Sequence, residues 1–150
     1  MTALSIRRFS CGWLFASLSL LGAHAWASPV GYVKTVAGKA EIVTSGQAVP
    51  AAAGTPVFQG SSLRTGASSS LGVTFRDNTV MSFGPDTELT VDEYLYQPSQ
   101  GKLKLGTRIS KGTLNYVSGA IARIQPEAVS VNTPTGTIGV RGTQFLLKVE

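Results

Sequence analysis

Short segments in which apolar and polar residues alternate, each ended by turn residues, run through most of this chain. In one example, Leu71, Val73 and Phe75 alternate with small or polar neighbours, and Asp77-Asn78 follows them as a tight turn. No segment after residue 27 keeps the 3.6-residue apolar period of a helix. This pattern predicts an all-β fold, a single compact domain of about ten short strands arranged as a two-sheet sandwich or a β-roll.

The first residues differ in composition from the rest and are typical of a secretory signal peptide. Arg7 and Arg8 supply the positive charge, a mostly apolar stretch follows, and Ala25-Trp26-Ala27 has the small-x-small pattern of a cleavage site. We therefore predict a signal peptide at 1–27 and an all-β domain at 28–150. Export of the chain by this route predicts a periplasmic or secreted location.

Cleavage at this site has a direct consequence for chemistry. The single cysteine, Cys11, and the single histidine, His24, both precede it. The remaining chain then lacks the groups for cysteine nucleophiles, for serine with a histidine base, and for zinc sites built on these side chains. We predict that the protein is not an enzyme and uses no cofactor. Cleavage also removes two positive charges from a formal net charge of +5, and the weak balance that remains argues against nucleic acid as a partner.

Four acidic residues lie close together in the sequence and form a candidate cluster: Asp86, Glu88, Asp92 and Glu93. A pair of carboxylates at a fixed separation serves glycoside hydrolysis, and several oxygen ligands serve calcium. The alternative is a strand edge whose carboxylates are solvated. We favour that alternative and predict no metal site.

Three tyrosines, Tyr94, Tyr96 and Tyr116, allow two interpretations. They form an aromatic surface for a glycan or a partner protein, because aromatic side chains are enriched at interfaces. Alternatively, they cap the core and keep only their hydroxyls wet. Both interpretations stay open at this point, and the three residues are candidates for binding or for structure.

The stretch from Thr133 to Phe145, TPTGTIGVRGTQF, combines β-forming residues with glycines at three-residue intervals. It predicts a bent strand, a turn and a closing strand. Gly142 is expected at a positive φ angle, and Arg141 is expected to bond carbonyls or a carboxylate. After Gly142 the alternation predicts one apolar face and one polar face. The last strand, Thr143–Val149, offers an edge to which a partner could add a strand.

Several segments follow one another in a recognisable order: Lys39-Ala40-Glu41, Gly60–Gly66, Ser69–Asn78 with Val80–Pro85, Asp86–Val91, Thr133-Pro134 and Val140–Phe145. In this order they give the chain a resemblance to the FecR-like domain, from about Val33 to Val149. The resemblance implies an extracytoplasmic all-β module that makes protein contacts. Some family members are membrane regulators that carry iron-uptake signals and have a cytoplasmic sigma-factor-binding region and a membrane helix. Here the predicted signal peptide takes the place of those regions, so an anti-sigma role is not carried over.

The sequence thus predicts a non-catalytic exported domain that mediates protein–protein interaction in the cell envelope, with a sensing or signalling role as an option. The alternative is a module that binds peptidoglycan or another polysaccharide through the tyrosines and the modest positive charge. The candidate residues for binding or structure are Tyr94, Tyr96, Tyr116, Arg141, Gly142 and Thr143. The sequence leaves the oligomeric state open.

Overall fold

A computed structural model describes residues 27–150 of the protein, so residues 1–26 of the predicted signal peptide lie outside the described residues. Twelve strands make up most of this part, and three short helical segments join them. The strands are β1 Gly31–Ala37, β2 Ala40–Thr44, β3 Gln47–Pro50, β4 Pro56–Val57, β5 Ser62–Thr65, β6 Ser70–Phe75, β7 Val80–Phe83, β8 Glu88–Gln97, β9 Lys102–Val117, β10 Val129–Thr133, β11 Gly136–Gly139 and β12 Gln144–Val149. The prediction of an all-β fold is confirmed, with two strands more than expected.

The helical segments are short. The α-helix α1 spans Ala120–Ile124, and 3-10 turns occupy Pro98–Gln100 and Pro126–Ala128. Within residues 27–150, no helix has the length and apolar character that crossing a membrane requires.

The long strand β9 organises the fold, because it belongs to both halves of one curled sheet. Its first part pairs with β8 in antiparallel fashion and with β10 in parallel fashion. Its second part pairs with β7 and β12, both antiparallel. One half of the sheet therefore runs β3-β2-β5-β8-β9-β10-β11, and the other runs β4-β1-β6-β7-β9-β12.

The two halves pack against each other around a single apolar core. The ring of Phe75, from β6 in one half, stacks on the ring of Tyr94, from β8 in the other, with centroids 5.6 Å apart. The largest fully buried side chains come from both halves and are Tyr116, Phe75, Leu63, Leu71, Met81, Leu89, Leu105, Ile109, Leu114, Ile121, Val33 and Val57. A core of this kind accounts for the alternation of apolar residues along nearly every strand.

The change from one half to the other occurs at Gly112, where β9 has a φ angle of +98°. Residues with a side chain rarely adopt this backbone conformation. The same glycine lies against Thr87, at the turn that joins β7 to β8, and the Thr87 hydroxyl accepts a hydrogen bond from the Thr113 N–H at 3.0 Å. A glycine therefore allows the central strand to bend where the two halves meet.

Two local predictions differ from the structure. The segments around Leu103, Ile109 and Leu114 are parts of one sixteen-residue strand, β9, rather than separate short strands. The small side chains of Ala48–Gly54 predict a loop, but the first residues of this segment belong to the edge strand β3, Gln47–Pro50. For a third segment, Ala120–Ile124, the sequence allows a strand or a single helical turn, and the structure has the short helix α1.

The C-terminal region follows the predicted order of strand, turn and closing strand. β10 and β11 form a hairpin, and β12 then pairs with the second part of β9. In β12, Phe145, Leu147 and Val149 are half-buried against the core, whereas Gln144, Leu146 and Lys148 are exposed. The predicted alternation after Gly142 is confirmed.

Candidate functional site

The three candidate tyrosines do not form a common exposed surface. Tyr94 and Tyr116 are buried, at 6% and 0% exposure, and Tyr96 is half-buried. A shift of pairing register between Val91 and Glu93, a β-bulge, explains the position of Tyr94. The extra residue reverses which side chains face the core, so Tyr94 points inward and Leu95 outward, the opposite of what strict alternation predicts.

Tyr94 belongs to a buried polar network centred on Asp77, which is 1% exposed. The Tyr94 hydroxyl donates to Asp77 Oδ1 at 3.0 Å, and the Thr79 hydroxyl donates to Asp77 Oδ2 at 2.7 Å. The N–H groups of Ile121 and Thr79 donate to the same carboxylate at 3.2 and 3.4 Å. The carboxylate therefore joins the β6–β7 turn, β8 and α1.

The sequence indicated Asp77 only as a turn residue, because nothing local marks a carboxylate as buried. The Asp77 main chain adds two more bonds: its N–H donates to the Tyr94 oxygen at 3.0 Å, and its carbonyl accepts from the Ala120 N–H at 2.7 Å. All these partners belong to the protein itself, so the arrangement stabilises the fold rather than presenting a group to a ligand.

Both buried tyrosines are expected to make stability fall at alkaline pH. Burial raises the pKa of Tyr94, with the nearby Asp77 carboxylate adding to the effect, and burial also raises the pKa of Tyr116. The folded state therefore favours the neutral phenols. Their contribution is fully present below the unfolded-state pKa of about 10 and is lost as pH rises above it. Thermal unfolding followed from pH 8 to 12 should show this loss, and Tyr94→Phe should reduce its slope; a melting temperature that stays constant to pH 12 would contradict it.

Three of the four acidic residues of the candidate cluster form separate ion pairs at the surface. Asp92 lies 3.1 Å from Arg108, Glu93 lies 3.7 Å from Lys104, and Glu88 lies 3.5 Å from Arg64. Asp86 has a φ angle of +49°. In the described part of the chain, no group of three or more potential ligand side chains is placed to hold a metal ion. The arrangement is that of solvated ion pairs, which contribute little to stability individually.

Strand pairing also creates a row of charges that local sequence could not reveal. Glu41, Arg64, Glu88 and Lys111 lie opposite one another on β2, β5, β8 and β9, with alternating sign. Arg64 contacts both carboxylates, at 3.6 Å for Glu41 and 3.5 Å for Glu88. A cleft of about 320 Å³ lies beside this row, with Lys39 also on its wall. The Arg64 guanidinium at the centre of the row is already paired with two carboxylates. The row therefore stabilises the sheet through cross-strand ion pairs.

The loop between β11 and β12 contains three of the candidate residues. Gly142 has a φ angle of +114°, which confirms the expected positive value. The Ser118 hydroxyl donates to the Gly142 carbonyl at 2.6 Å, and the Ser118 N–H donates to the Thr143 carbonyl at 2.8 Å. These bonds fix the loop to the end of β9. Thr143 itself is exposed.

Arg141 is exposed in this loop and forms no ion pair with any of residues 27–150, so the carboxylate partner considered from the sequence is not found among them. It lies on the wall of an open cavity of about 830 Å³. The wall is formed by Pro126, Glu127, Val129, Ser130, Thr137, Gly139, Val140, Arg141 and Gly142. The outer edge of β11 is also unpaired within the described residues, because β11 pairs only with β10. We call this region the Arg141 cavity.

The fold and these sites define an all-β domain with an open cavity at the end of its sheet and a core held by buried polar bonds. Comparison with protein families gives a match to the FecR protein family over residues 61–150, from just before β5 to the end of β12. The chain therefore belongs to the FecR family, as the resemblance implied. The family is involved in sensing and signalling in the cell envelope and is generally regulatory rather than enzymatic. Comparisons with curated proteins and with solved structures give no match.

Proposed function

We propose that this protein is a non-catalytic, exported β-domain that binds another protein of the cell envelope as part of sensing or signalling. Export is supported by the signal-peptide composition of residues 1–27. The observation that carries the proposal is the Arg141 cavity, where an exposed guanidinium without an ion-pair partner among residues 27–150 borders a volume of about 830 Å³.

The chemistry of the cavity favours a protein ligand with an acidic side chain. A guanidinium presents a planar set of donors that fits a carboxylate with two parallel hydrogen bonds. Val129 and Val140 contribute apolar wall, and Ser130 and Thr137 contribute hydroxyls. Glu127 is the other charged residue of the wall, and its carboxylate would disfavour a second acidic group nearby. The expected contact is therefore one carboxylate beside Arg141, surrounded by apolar side chains of the partner.

Site-specific crosslinking tests the proposal in the periplasm. Thr137, exposed on β11 and part of the cavity wall, is replaced by the photoreactive residue p-benzoylphenylalanine, and intact cells are irradiated. We expect one reproducible adduct in the periplasmic fraction, identified by mass spectrometry. Arg141→Glu should abolish that adduct because it places a negative charge opposite the partner's carboxylate. Arg141→Lys should retain part of it.

Lys34→Glu is the matched control, because it makes the same charge change at an exposed position on β1, outside the cavity wall. The adduct should persist in this variant. Failure to obtain any adduct with a protein of the envelope, or an adduct that is equally strong in Arg141→Glu, would refute the proposal. Cosedimentation of the same variants with purified peptidoglycan distinguishes polysaccharide binding, for which the buried Tyr94 and Tyr116 provide no surface.

A further inference from the structure

Four strands in residues 27–150 form edges of the curled sheet, and three of them have features that discourage pairing with another chain. β3 ends in Pro50, β4 has two residues and begins with Pro56, and β11 begins and ends with glycine. Short length, proline and glycine all weaken an edge as a template for pairing. β12 differs, because it has six residues and contains neither proline nor glycine.

The free backbone groups of β12 can be identified from its pairing with β9. The Ser118 N–H donates to the Thr143 carbonyl at 2.8 Å, so these opposed residues form a hydrogen-bonded pair. Bonded and non-bonded pairs alternate along antiparallel strands, so Phe145, Leu147 and Val149 also direct their N–H and carbonyl groups to β9. The corresponding groups of the intervening residues, Gln144, Leu146 and Lys148, point away from the sheet.

The side chains of those three residues form a self-complementary pattern. Leu146 is 76% exposed, the highest value among the exposed large hydrophobic residues of the described chain. In an antiparallel pair of two β12 strands centred on Leu146, the two leucines lie opposite each other. Gln144 of each copy then lies opposite Lys148 of the other, and no like charges meet. On the inner face, Phe145 lies opposite Leu147, both half-buried apolar residues.

We propose that β12 pairs with β12 of a second copy of this chain, in the antiparallel register that places Leu146 opposite Leu146. The pairing is isologous, joins the two sheets across a two-fold axis, and satisfies the outward N–H and carbonyl groups of both strands. It covers the exposed leucines with each other and extends the half-buried apolar row of β12 from one copy into the next. This dimer goes beyond the proposed function and does not depend on the Arg141 cavity.

Cysteine substitution tests the register directly, since no cysteine follows residue 27. Opposed residues in a hydrogen-bonded antiparallel pair have Cα atoms about 5.5 Å apart, within the range of a disulfide. Leu146→Cys, purified from the periplasm and oxidised gently, is expected to give a disulfide-linked dimer. Gln144→Cys is the matched control and should remain unlinked, because the register separates the two copies of that residue by several positions. Equal linking of both variants, or linking of neither, would overturn the register.

Molar mass in solution tests the dimer itself. Multi-angle light scattering of the exported protein should show the mass rising towards twice the monomer mass as concentration increases. Leu146→Pro removes an N–H that points outward, so it should abolish the rise and leave the circular dichroism spectrum unchanged. Ile124→Lys, at another exposed apolar residue, should leave the rise intact.

If Leu146→Pro fails to fold, Leu146→Lys decides, because it places two ammonium groups opposite each other across the axis without changing the backbone. A wild-type mass that stays monomeric at every concentration would overturn the proposal, as would a folded Leu146→Pro or Leu146→Lys that still dimerises. Thr137 also lines a cavity beside residues 147–150 at the end of β12, so a crosslink from Thr137 can reach a second copy as well as an envelope partner. The identity of the adduct separates the two: an adduct with this chain itself reports the dimer and disappears in Leu146→Lys, whereas an adduct with a different envelope protein persists in Leu146→Lys and disappears in Arg141→Glu.

Discussion

Gly112→Ala is expected to lower the free energy of unfolding by about 4 kcal/mol, a large part of the total stability of a domain of this size. Two effects combine. The φ angle of +98° is unfavourable for alanine, and an added Cβ would lie 2.6 Å from the Cβ of Thr87 and closer still to its Cα and hydroxyl oxygen. The Thr87 backbone cannot move aside easily, because its N–H donates to the Thr65 hydroxyl and its hydroxyl accepts from the Thr113 N–H.

Gly101→Ala is the matched control, because Gly101 also has a positive φ angle, +66°, but no atom lies within 4 Å of the position of an added Cβ. This variant should lose about 1 kcal/mol, from backbone strain alone. Chemical denaturation followed by circular dichroism measures both variants. Equal losses would show that the contact with Thr87 has no role in the bend of β9, whereas a wild-type midpoint for Gly112→Ala would contradict the assigned conformation.

The bend at Gly112 also explains why the sequence predicted several short strands where one long strand exists. Gly106 and Gly112 interrupt the apolar pattern of this region and have the appearance of turn residues. In the structure, β8 and β10 pair with β9 on both sides of Gly106, and at Gly112 the strand continues while its partners change to β7 and β12. Local sequence signals the interruption but not the partners on either side, and those partners decide whether the chain turns or continues.

Strict alternation of side chains fails in β8 for a related reason. Alternation correctly placed Leu89 and Val91 in the core, but the bulge at Val91–Glu93 then inverted the pattern for Tyr94 and Leu95. A single extra residue in one strand is invisible to a period-2 analysis unless the pairing is known. The closing strand β12 lacks such a bulge, and its alternation was predicted correctly.

Among the candidate sites, features set by local backbone geometry could be predicted from the sequence, and features set by long-range pairing could not. The positive φ angle of Gly142 followed from local sequence, because glycine in a β-forming stretch indicates unusual backbone geometry. The Glu41–Arg64–Glu88–Lys111 row did not, since its members come from four strands far apart in sequence. The Arg141 cavity could not be predicted either, because its wall forms only when the fold places Pro126 and Val129 beside the loop that follows β11. Long-range pairing thus determines most of what a partner would contact.

Asp77→Ala should lower the free energy of unfolding by about 4 kcal/mol, since it leaves several buried donors without an acceptor. The hydroxyls of Tyr94 and Thr79 and the N–H of Ile121 would all lose their bond to the carboxylate. The loss is structural as well as energetic, because α1 is attached to the β6–β7 turn through this side chain. Amide hydrogen exchange of Asp77→Ala, compared with the wild type, should therefore accelerate more in α1 than in the rest of the domain.

Asp77→Asn separates two contributions of Asp77 to stability: that of its charge and two acceptor oxygens, and that of the size and shape of its side chain. An amide keeps the size of the carboxylate but replaces one acceptor oxygen by a donor, which then faces other donors. We expect a loss of about 2 kcal/mol. Asp92→Ala is the matched control: this carboxylate is paired with Arg108 at the surface, and the loss should stay below about 1 kcal/mol. Urea denaturation of the three variants gives the order Asp77→Ala, Asp77→Asn, Asp92→Ala from largest loss to smallest. If Asp77→Ala were no less stable than Asp92→Ala, the buried carboxylate could not be what holds α1 to the β6–β7 turn.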